Sequence, residues 1–181
     1  MAKQAGVKRF VYTSSCSVYG VSGGDFVNEE SPLDPQTAYA VCKTLVERDV
    51  KVLADQHFCP TFLRNATAYG ASPRMRFDIV LNNLAGLAWT TGEIKMTSDG
   101  TPWRPLVHVE DICGAIACVL SAPRDAVHTE VLNVGDTAAN YQVKDIAEIV
   151  ARTFPGCRLS FGTRDGDNRS YRVSFDKIRR L

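Results

Sequence analysis

The sequence has no excess of charge of either sign. Its 21 Lys and Arg stand against 20 Asp and Glu over 181 residues, a formal net charge of +1. That removes the basic surface by which proteins hold nucleic acid, and it gives no attraction to an anionic membrane. Long hydrophobic runs are missing too. The most apolar stretch, residues 77–89, is broken by Asp78, Asn82 and Asn83. It falls short of the ~18 apolar residues that a spanning helix needs. The first ten residues lack the apolar segment of a secretory signal. Histidine is scarce, and no group of His, Cys and carboxylates has metal-ligand spacing. The six cysteines (Cys16, Cys42, Cys59, Cys113, Cys118 and Cys157) form neither C-x-x-C pairs nor a dense disulfide framework. Most have apolar neighbours, as buried free thiols do, which points to a reducing, cytoplasmic setting. Neither a membrane nor a nucleic acid is expected as partner.

What remains is an ordinary globular composition, 45% hydrophobic and 23% charged. The length suits one domain or pieces of two. Residues 2–5 read as the last turn of a helix with Gly6 as its C-cap. Residues 7–13, rich in β-branched and aromatic side chains, read as a strand that opens onto Ser14-Ser15-Cys16-Ser17. Glycines and prolines mark residues 21–36 as a loop. Further strands are expected at 61–65, 93–97, 106–109, 131–135, 158–161 and 171–175. Helices are expected at 75–90, 110–120 and 143–154. Alternating strands and helices predict an α/β fold with a mainly parallel sheet, and the mixed later elements predict a smaller lobe beside it.

The stretch that carries chemistry is Tyr39-Ala40-Val41-Cys42-Lys43. Apolar residues at 38, 41, 42, 45, 46, 50 and 53 have helical spacing, with Thr37 as N-cap. Tyr39 and Lys43 then share one helix face, a turn apart. A phenol is a poor base at neutral pH, and a nearby ammonium favours its phenolate. The pair is therefore a device for proton transfer. On spacing alone, a solvated Tyr and Lys on a helix face is the commoner arrangement.

Three ordered motifs decide between these readings: Ser14-Ser15-Cys16-Ser17-Val18-Tyr19-Gly20, then Tyr39-Ala40-Val41-Cys42-Lys43, then Trp103-Arg104-Pro105-Leu106-Val107-His108-Val109-Glu110-Asp111. Together they resemble the extended short-chain dehydrogenase/reductase family, the NAD-dependent nucleotide-sugar epimerases and dehydratases. The resemblance runs over nearly the whole chain. It implies a partial Rossmann-like fold, a doubly wound parallel sheet, over residues 1–67 and 104–136. A smaller α/β substrate-binding lobe would comprise residues 68–103 and 137–181. Tyr39 would be the general base. Lys43 would hold the nicotinamide ribose of NAD (or NADP) and depress the pKa of Tyr39. Ser15, 24 residues before Tyr39, would hydrogen-bond the reacting oxygen. Asn65 and Ala66 would lie beside the nicotinamide. Thr67 stands where relatives often carry a substrate-binding Asn. Arg104 would contact the substrate diphosphate, with Arg164 or Arg169 as a second contact. His108, between two valines, is expected to pack structurally. Family members are usually homodimers.

Two departures shape the expected function. The positions after Ser15 are Cys16 and Ser17, neither a carboxylate, which disfavours 4,6-dehydration and decarboxylation and leaves epimerisation or oxidoreduction through a keto intermediate. The sequence also has no Gly-x-x-Gly-x-x-Gly turn to cradle the cofactor pyrophosphate; Gly20, Gly23 and Gly24 precede a proline-bearing loop rather than a helix. The expectation is a C-terminal portion of such an enzyme, with weak or no NAD binding of its own and an unpaired sheet edge. A catalytically silent binding or assembly module, and an oxidoreductase acting on a non-nucleotide alcohol, are the alternatives.

Overall fold

The computed structural model describes residues 1–163 and 169–181. Strand β1 (Arg9–Ser15) runs into a 3₁₀ turn (Cys16–Tyr19), strand β2 (Val21–Val27) and helix α1 (Ala38–Lys51). Strand β3 (Cys59–Asn65) continues almost directly into β4 (Thr67–Tyr69). Helix α2 (Val80–Thr91), strands β5 (Glu93–Lys95) and β6 (Trp103–His108), helix α3 (Val109–Ser121) and the single turn α4 (Arg124–Val127) follow. The described chain then forms β7 (Val131–Val134), β8 (Asn140–Gln142), α5 (Val143–Thr153), β9 (Arg158–Ser160) and β10 (Ser170–Val173).

β1, β3 and β7 form a parallel sheet in that order, with Ser15 opposite Asn65 and Asn65 opposite Val134. β3 is the central strand. Six of its seven residues are buried, the near-continuous burial expected of a strand covered on both faces. β1 has no strand on its other side among the described residues. Helix α1 lies on the sheet face that carries Tyr12 and Ser14, and α3 packs against the face of Val11. The apolar interior falls into two clusters. One, with Leu63, Leu132, Val134, Val173 and Phe175, fills the space around the parallel sheet. The other, with Leu84, Ile94, Leu106, Ile146 and Val150, joins α2, α5 and their short strands. The architecture is thus α/β with parallel strands and a smaller mixed lobe, as expected.

Three local expectations are corrected. Residues 21–36 do not form a continuous loop: Val21–Val27 is strand β2, paired in parallel with β10. Its partner lies some 150 residues downstream, so only tertiary pairing makes it a strand despite Gly23 and Gly24. Arg172 secures the pair, its guanidinium 4.7 Å from the Phe26 ring centroid and 5.1 Å from that of Trp103. The helix expected at 75–90 begins only at Val80. The buried Asn82 amide ties the preceding loop down, donating to the Arg76 carbonyl (2.9 Å) and accepting from the Gly70 N–H (3.2 Å). Residues 2–5 form hydrogen-bonded turns rather than the end of a regular helix, although Gly6 does take a left-handed φ of 76°. The expectation at Thr37 holds. Thr37 accepts the Ala40 N–H at 3.1 Å, and Gly92 ends α2 with φ 65°.

Candidate active site

The C-terminal ends of parallel strands are where an open α/β sheet presents its functional groups. Ser15 stands at the end of β1 and Asn65 beside it at the end of β3. The Ser15 hydroxyl caps the 3₁₀ turn by accepting the Ser17 N–H at 3.2 Å. That contact uses one acceptor site on its oxygen and leaves the O–H available to a ligand. Gly20 then closes the turn. Its φ is 66°, and a Cβ there would meet the Asp34 carbonyl oxygen at 1.8 Å, so no other residue fits without moving backbone.

Helix α1 brings in the other half. Tyr39 lies in its first turn and is 55% exposed. Lys43, a turn later, donates to the Thr13 carbonyl of β1 at 2.6 Å. Its ammonium sits 4.7 Å from the Tyr12 ring centroid and 5.5 Å from that of Tyr39. Burial lowers the Lys43 pKa below that of an ordinary lysine, and the Glu47 carboxylate opposes the shift. Tyr12 moves the other way: burial, then the neighbouring Tyr39, raise its phenol.

These groups share one cleft of about 840 Å³. Ser15, Tyr39, Lys43, Asn65, Ala66, Thr67 and Arg104 all line it, so residues expected from distant motifs are brought together. Arg169 lines it too, whereas Arg164 falls outside the described residues. Arg104 is held through its guanidinium, which donates to the Trp103 carbonyl (2.7 Å) and the Arg169 carbonyl, with Tyr171 5.5 Å beneath it. Arg76, paired with Asp78, adds a cation that the sequence motifs did not flag. The described lining holds Lys43, Arg76, Arg104 and Arg169 against a single carboxylate, Asp78. Two polar atoms of lining residues, Ser17 Oγ and Asn65 Oδ1, are buried without a hydrogen-bond partner. A cationic wall with unsatisfied polar atoms suits an anionic, hydroxyl-rich ligand.

Of the two positions after Ser15, only Ser17 lines the cleft. Cys16 faces the interior, its thiol against the Arg64 carbonyl at 3.1 Å and its pKa pushed up by burial. His108 packs edge-on against Tyr69 and accepts the Glu110 N–H at the start of α3, a structural role as expected. Among the described residues no group of His, Cys and carboxylates could hold a metal, and no helix is long and apolar enough to cross a membrane.

Behind the cleft lies a buried polar network that the motifs did not reveal. Glu47 and Arg64 pair in bidentate fashion, Nη2 to Oε2 at 2.7 Å, with side chains 8% and 6% exposed. Ser14 donates to Glu47 Oε1, and Arg64 Nη1 donates to the Tyr19 hydroxyl at 3.1 Å. That hydroxyl donates to Asn133 Oδ1 at 2.8 Å. Burial works against the Arg64 charge, but its bonds to Glu47 and Tyr19 outweigh this and raise its pKa. One signal was available in the sequence: an arginine inside an otherwise apolar strand needs a buried partner.

The family of NAD dependent epimerases/dehydratases matches residues 1–135. The chain belongs to this family. A UDP-glucose 4-epimerase of Bacillus subtilis (strain 168) is 27% identical over 160 residues, covering 79% of this chain and 47% of that protein. A dTDP-glucose 4,6-dehydratase of an Actinoplanes species is 28% identical over 179 residues, covering 95% and 53%. Among solved structures, MoeE5 in complex with UDP-glucuronic acid and NAD superposes with a TM-score of 0.86 at 28% identity, covering 99% of this chain and 60% of that one. The dTDP-glucose 4,6-dehydratase DesIV of Streptomyces venezuelae, at 24% identity and a TM-score of 0.83, shares the fold. The chain spans about half the length of the curated relatives it matches.

Proposed function

We propose that this chain carries the proton-transfer and substrate-phosphate portion of a nucleotide-sugar epimerase or dehydrogenase that works by hydride transfer through a keto intermediate. The observation that supports this most is the convergence of Ser15, Tyr39 and Lys43 on one cleft with Arg104 and the ends of β1 and β3. In this reading Tyr39 takes the proton from the sugar hydroxyl that becomes the carbonyl. Ser15 Oγ–H donates to that oxygen, its geometry fixed by the Ser17 amide. Lys43, anchored on Thr13, presents its ammonium beside Tyr39 and to the ribose of the cofactor. Arg104, with Arg169 as a second cation, binds the diphosphate in fork geometry. Thr67 and Ser17 meet sugar hydroxyls. Ser17 is the cleft-lining position after Ser15 and carries no acid, so the site lacks the group there that water elimination would require.

The nicotinamide end of NAD fits the residues present: Lys43 offers a donor, and the unpartnered Asn65 Oδ1 offers an acceptor beside Ala66. When bound, NAD supplies the hydride acceptor. The pyrophosphate end finds no glycine turn in this sequence, so the chain alone is expected to bind NAD weakly. Residues 1–67 and 104–136 would form the cofactor side and residues 68–103 and 137–181 the substrate side. Setting, assembly and partners follow the same reading: a cytoplasmic enzyme, homodimeric as a whole.

The test is ligand-observed NMR with the 181-residue chain, titrated separately with UDP-glucose, dTDP-glucose and NAD. Saturable contact with the nucleotide sugar that weakens at least several-fold in Arg104→Ala is expected, together with NAD contacts confined to the nicotinamide end. Nucleotide-sugar binding that Arg104→Ala and Lys43→Met both leave unchanged would refute the assignment.

A further inference from the structure

A buried ion pair is a poor device for stability. Apolar side chains of the same volume often do as well or better. The Glu47–Arg64 pair therefore calls for another reason, and its placement offers one. Each anchor of the Glu47 carboxylate immediately precedes a cleft residue: Ser14 precedes Ser15 on β1, and Arg64 precedes Asn65 on β3. Glu47 itself lies one turn beyond Lys43 on α1. One carboxylate thus ties together the three elements that carry Ser15, Lys43 and Asn65. The pair is also oriented. Arg64 extends away from Glu47 toward Tyr19, donating from Nη1 to that hydroxyl. Glu47 sits four residues after Lys43 on the same face of α1, where its carboxylate opposes the burial that lowers the Lys43 pKa.

We propose that Glu47 is a positioning residue for Lys43: its buried carboxylate, clamped by Arg64 and Ser14, supplies the fixed counter-charge that keeps an ammonium in the cleft wall beside Tyr39. The proposal rests on the reading of Lys43 given above. Around Lys43 are the Thr13 carbonyl and the Tyr12 ring from β1 and, on α1 itself, the Tyr39 ring and Glu47 four residues on, with Arg64 from β3 bonded to Glu47. The two tyrosines contribute ring faces, and Arg64 is of like charge. Glu47 alone in this set offers negative charge, and it is held by groups that cannot turn away without leaving a buried partner unsatisfied. A solvated glutamate at this position would be screened; this one is not.

The experiment measures the charge on Lys43 directly, without ligand. The chain is acetylated with trace acetic anhydride across a pH series, and peptide mass spectrometry follows Lys43 against the exposed Lys51 as internal reference. In Glu47→Gln the Lys43 labelling midpoint is expected to move to lower pH than in wild type. Lys43 labelling at neutral pH then rises several-fold relative to Lys51. Glu47→Gln/Arg64→Met, which leaves no unpaired buried charge, is expected to shift the midpoint in the same direction and gives the reading should the single variant fold poorly. Tyr19→Phe, on the far side of Arg64, is expected to leave the midpoint unchanged. A wild-type midpoint in Glu47→Gln and in the double variant would overturn the proposal, whatever happens to melting temperature. So would an equal shift in Tyr19→Phe, since loosening rather than charge would then be the cause. Failure of nucleotide-sugar binding would refute the functional reading while leaving this measurement intact.

Discussion

Replacing Arg64 by methionine tests whether the interior is organised as described. The substitution keeps much of the side-chain volume but removes the cation from Glu47, whose carboxylate stays buried at 8% exposure. Removing one partner of a buried pair costs about 3–5 kcal/mol, because the other charge is left uncompensated. A domain holds only ~5–15 kcal/mol in total. For a chain of this size each kcal/mol moves the melting temperature by roughly 2–4 °C, so a fall of about 6–20 °C is expected. Two hydrogen bonds survive and limit the damage: Ser14 still donates to Glu47, and Tyr19 still donates to Asn133. In Glu47→Gln/Arg64→Met the stranded charge is gone and the amide still accepts from Ser14. Its stability is expected within ~2 kcal/mol of wild type. Urea unfolding followed by circular dichroism and by the fluorescence of Trp89 and Trp103 measures both. A loss under ~1 kcal/mol for Arg64→Met, the range of an exposed pair, would refute a desolvated Glu47–Arg64 contact. A double variant worse than the sum of its singles would refute the compensation argument.

Three further outcomes follow from the same physics. Burial places the folded-state pKa of Lys43 below that of the unfolded chain, so holding it protonated costs stability at neutral pH, a cost that fades as pH rises through the folded value. Lys43→Met is therefore expected to unfold in urea no more readily than wild type at pH 7, and marked destabilisation there would contradict it. Asp55 is the opposite case. Its bond to Lys3, with the His57 and Phe58 N–H groups, lowers its pKa to about 2, below the ~3.9 of an unfolded chain. Its contribution is present above ~4 and lost as pH falls through about 2. The stability gap between wild type and Asp55→Asn should therefore close between those limits in pH-resolved urea titrations, and a gap that persists below them would exclude this cause. Gly20→Ala combines a left-handed φ, worth ~1–2 kcal/mol, with a backbone clash at Asp34. Thermal unfolding should show at least the former loss, and an unchanged melting temperature would mean that the turn beside Ser15 readily rearranges.

What was legible in the sequence was local. Thr37 as a cap, the helical spacing behind Tyr39 and Lys43, and the β-branched and aromatic run of β1 follow from rules that span a few residues, and all three hold. What escaped depends on partners far away in the chain. β2 is a strand because β10 lies beside it, and its exposed, glycine-bearing sequence carries no alternation to announce this. The delayed start of α2 depends on Asn82 reaching back to Gly70, which leaves Arg76 and Asp78 on the cleft rim instead of on a helix. Glu47 followed Lys43 by one turn in plain view. Only the arrival of Arg64 and Ser14 from two strands shows that it is buried and paired rather than solvated.

The site separates position from affinity. Ser15 is fixed by the amide of Ser17, Lys43 by the carbonyl of Thr13, Arg104 by the carbonyls of Trp103 and Arg169, and each of these bonds lies within the chain. None needs a ligand to form, so the geometry proposed for proton transfer is preorganised, the condition under which such groups act most effectively. Affinity for a dinucleotide comes from elsewhere, largely from backbone N–H groups that surround the pyrophosphate, and this sequence contains no glycine turn to supply them. The nucleotide-sugar side is different, because the cations that suit a diphosphate already line the cleft. The chain should therefore discriminate between the two proposed ligands. Nucleotide-sugar contact should depend on Arg104, while NAD contact should stay weak whichever cleft residue is changed. Comparable, tight binding of both ligands to wild type would show that the pyrophosphate finds a seat in the cleft itself, and the separation would fall.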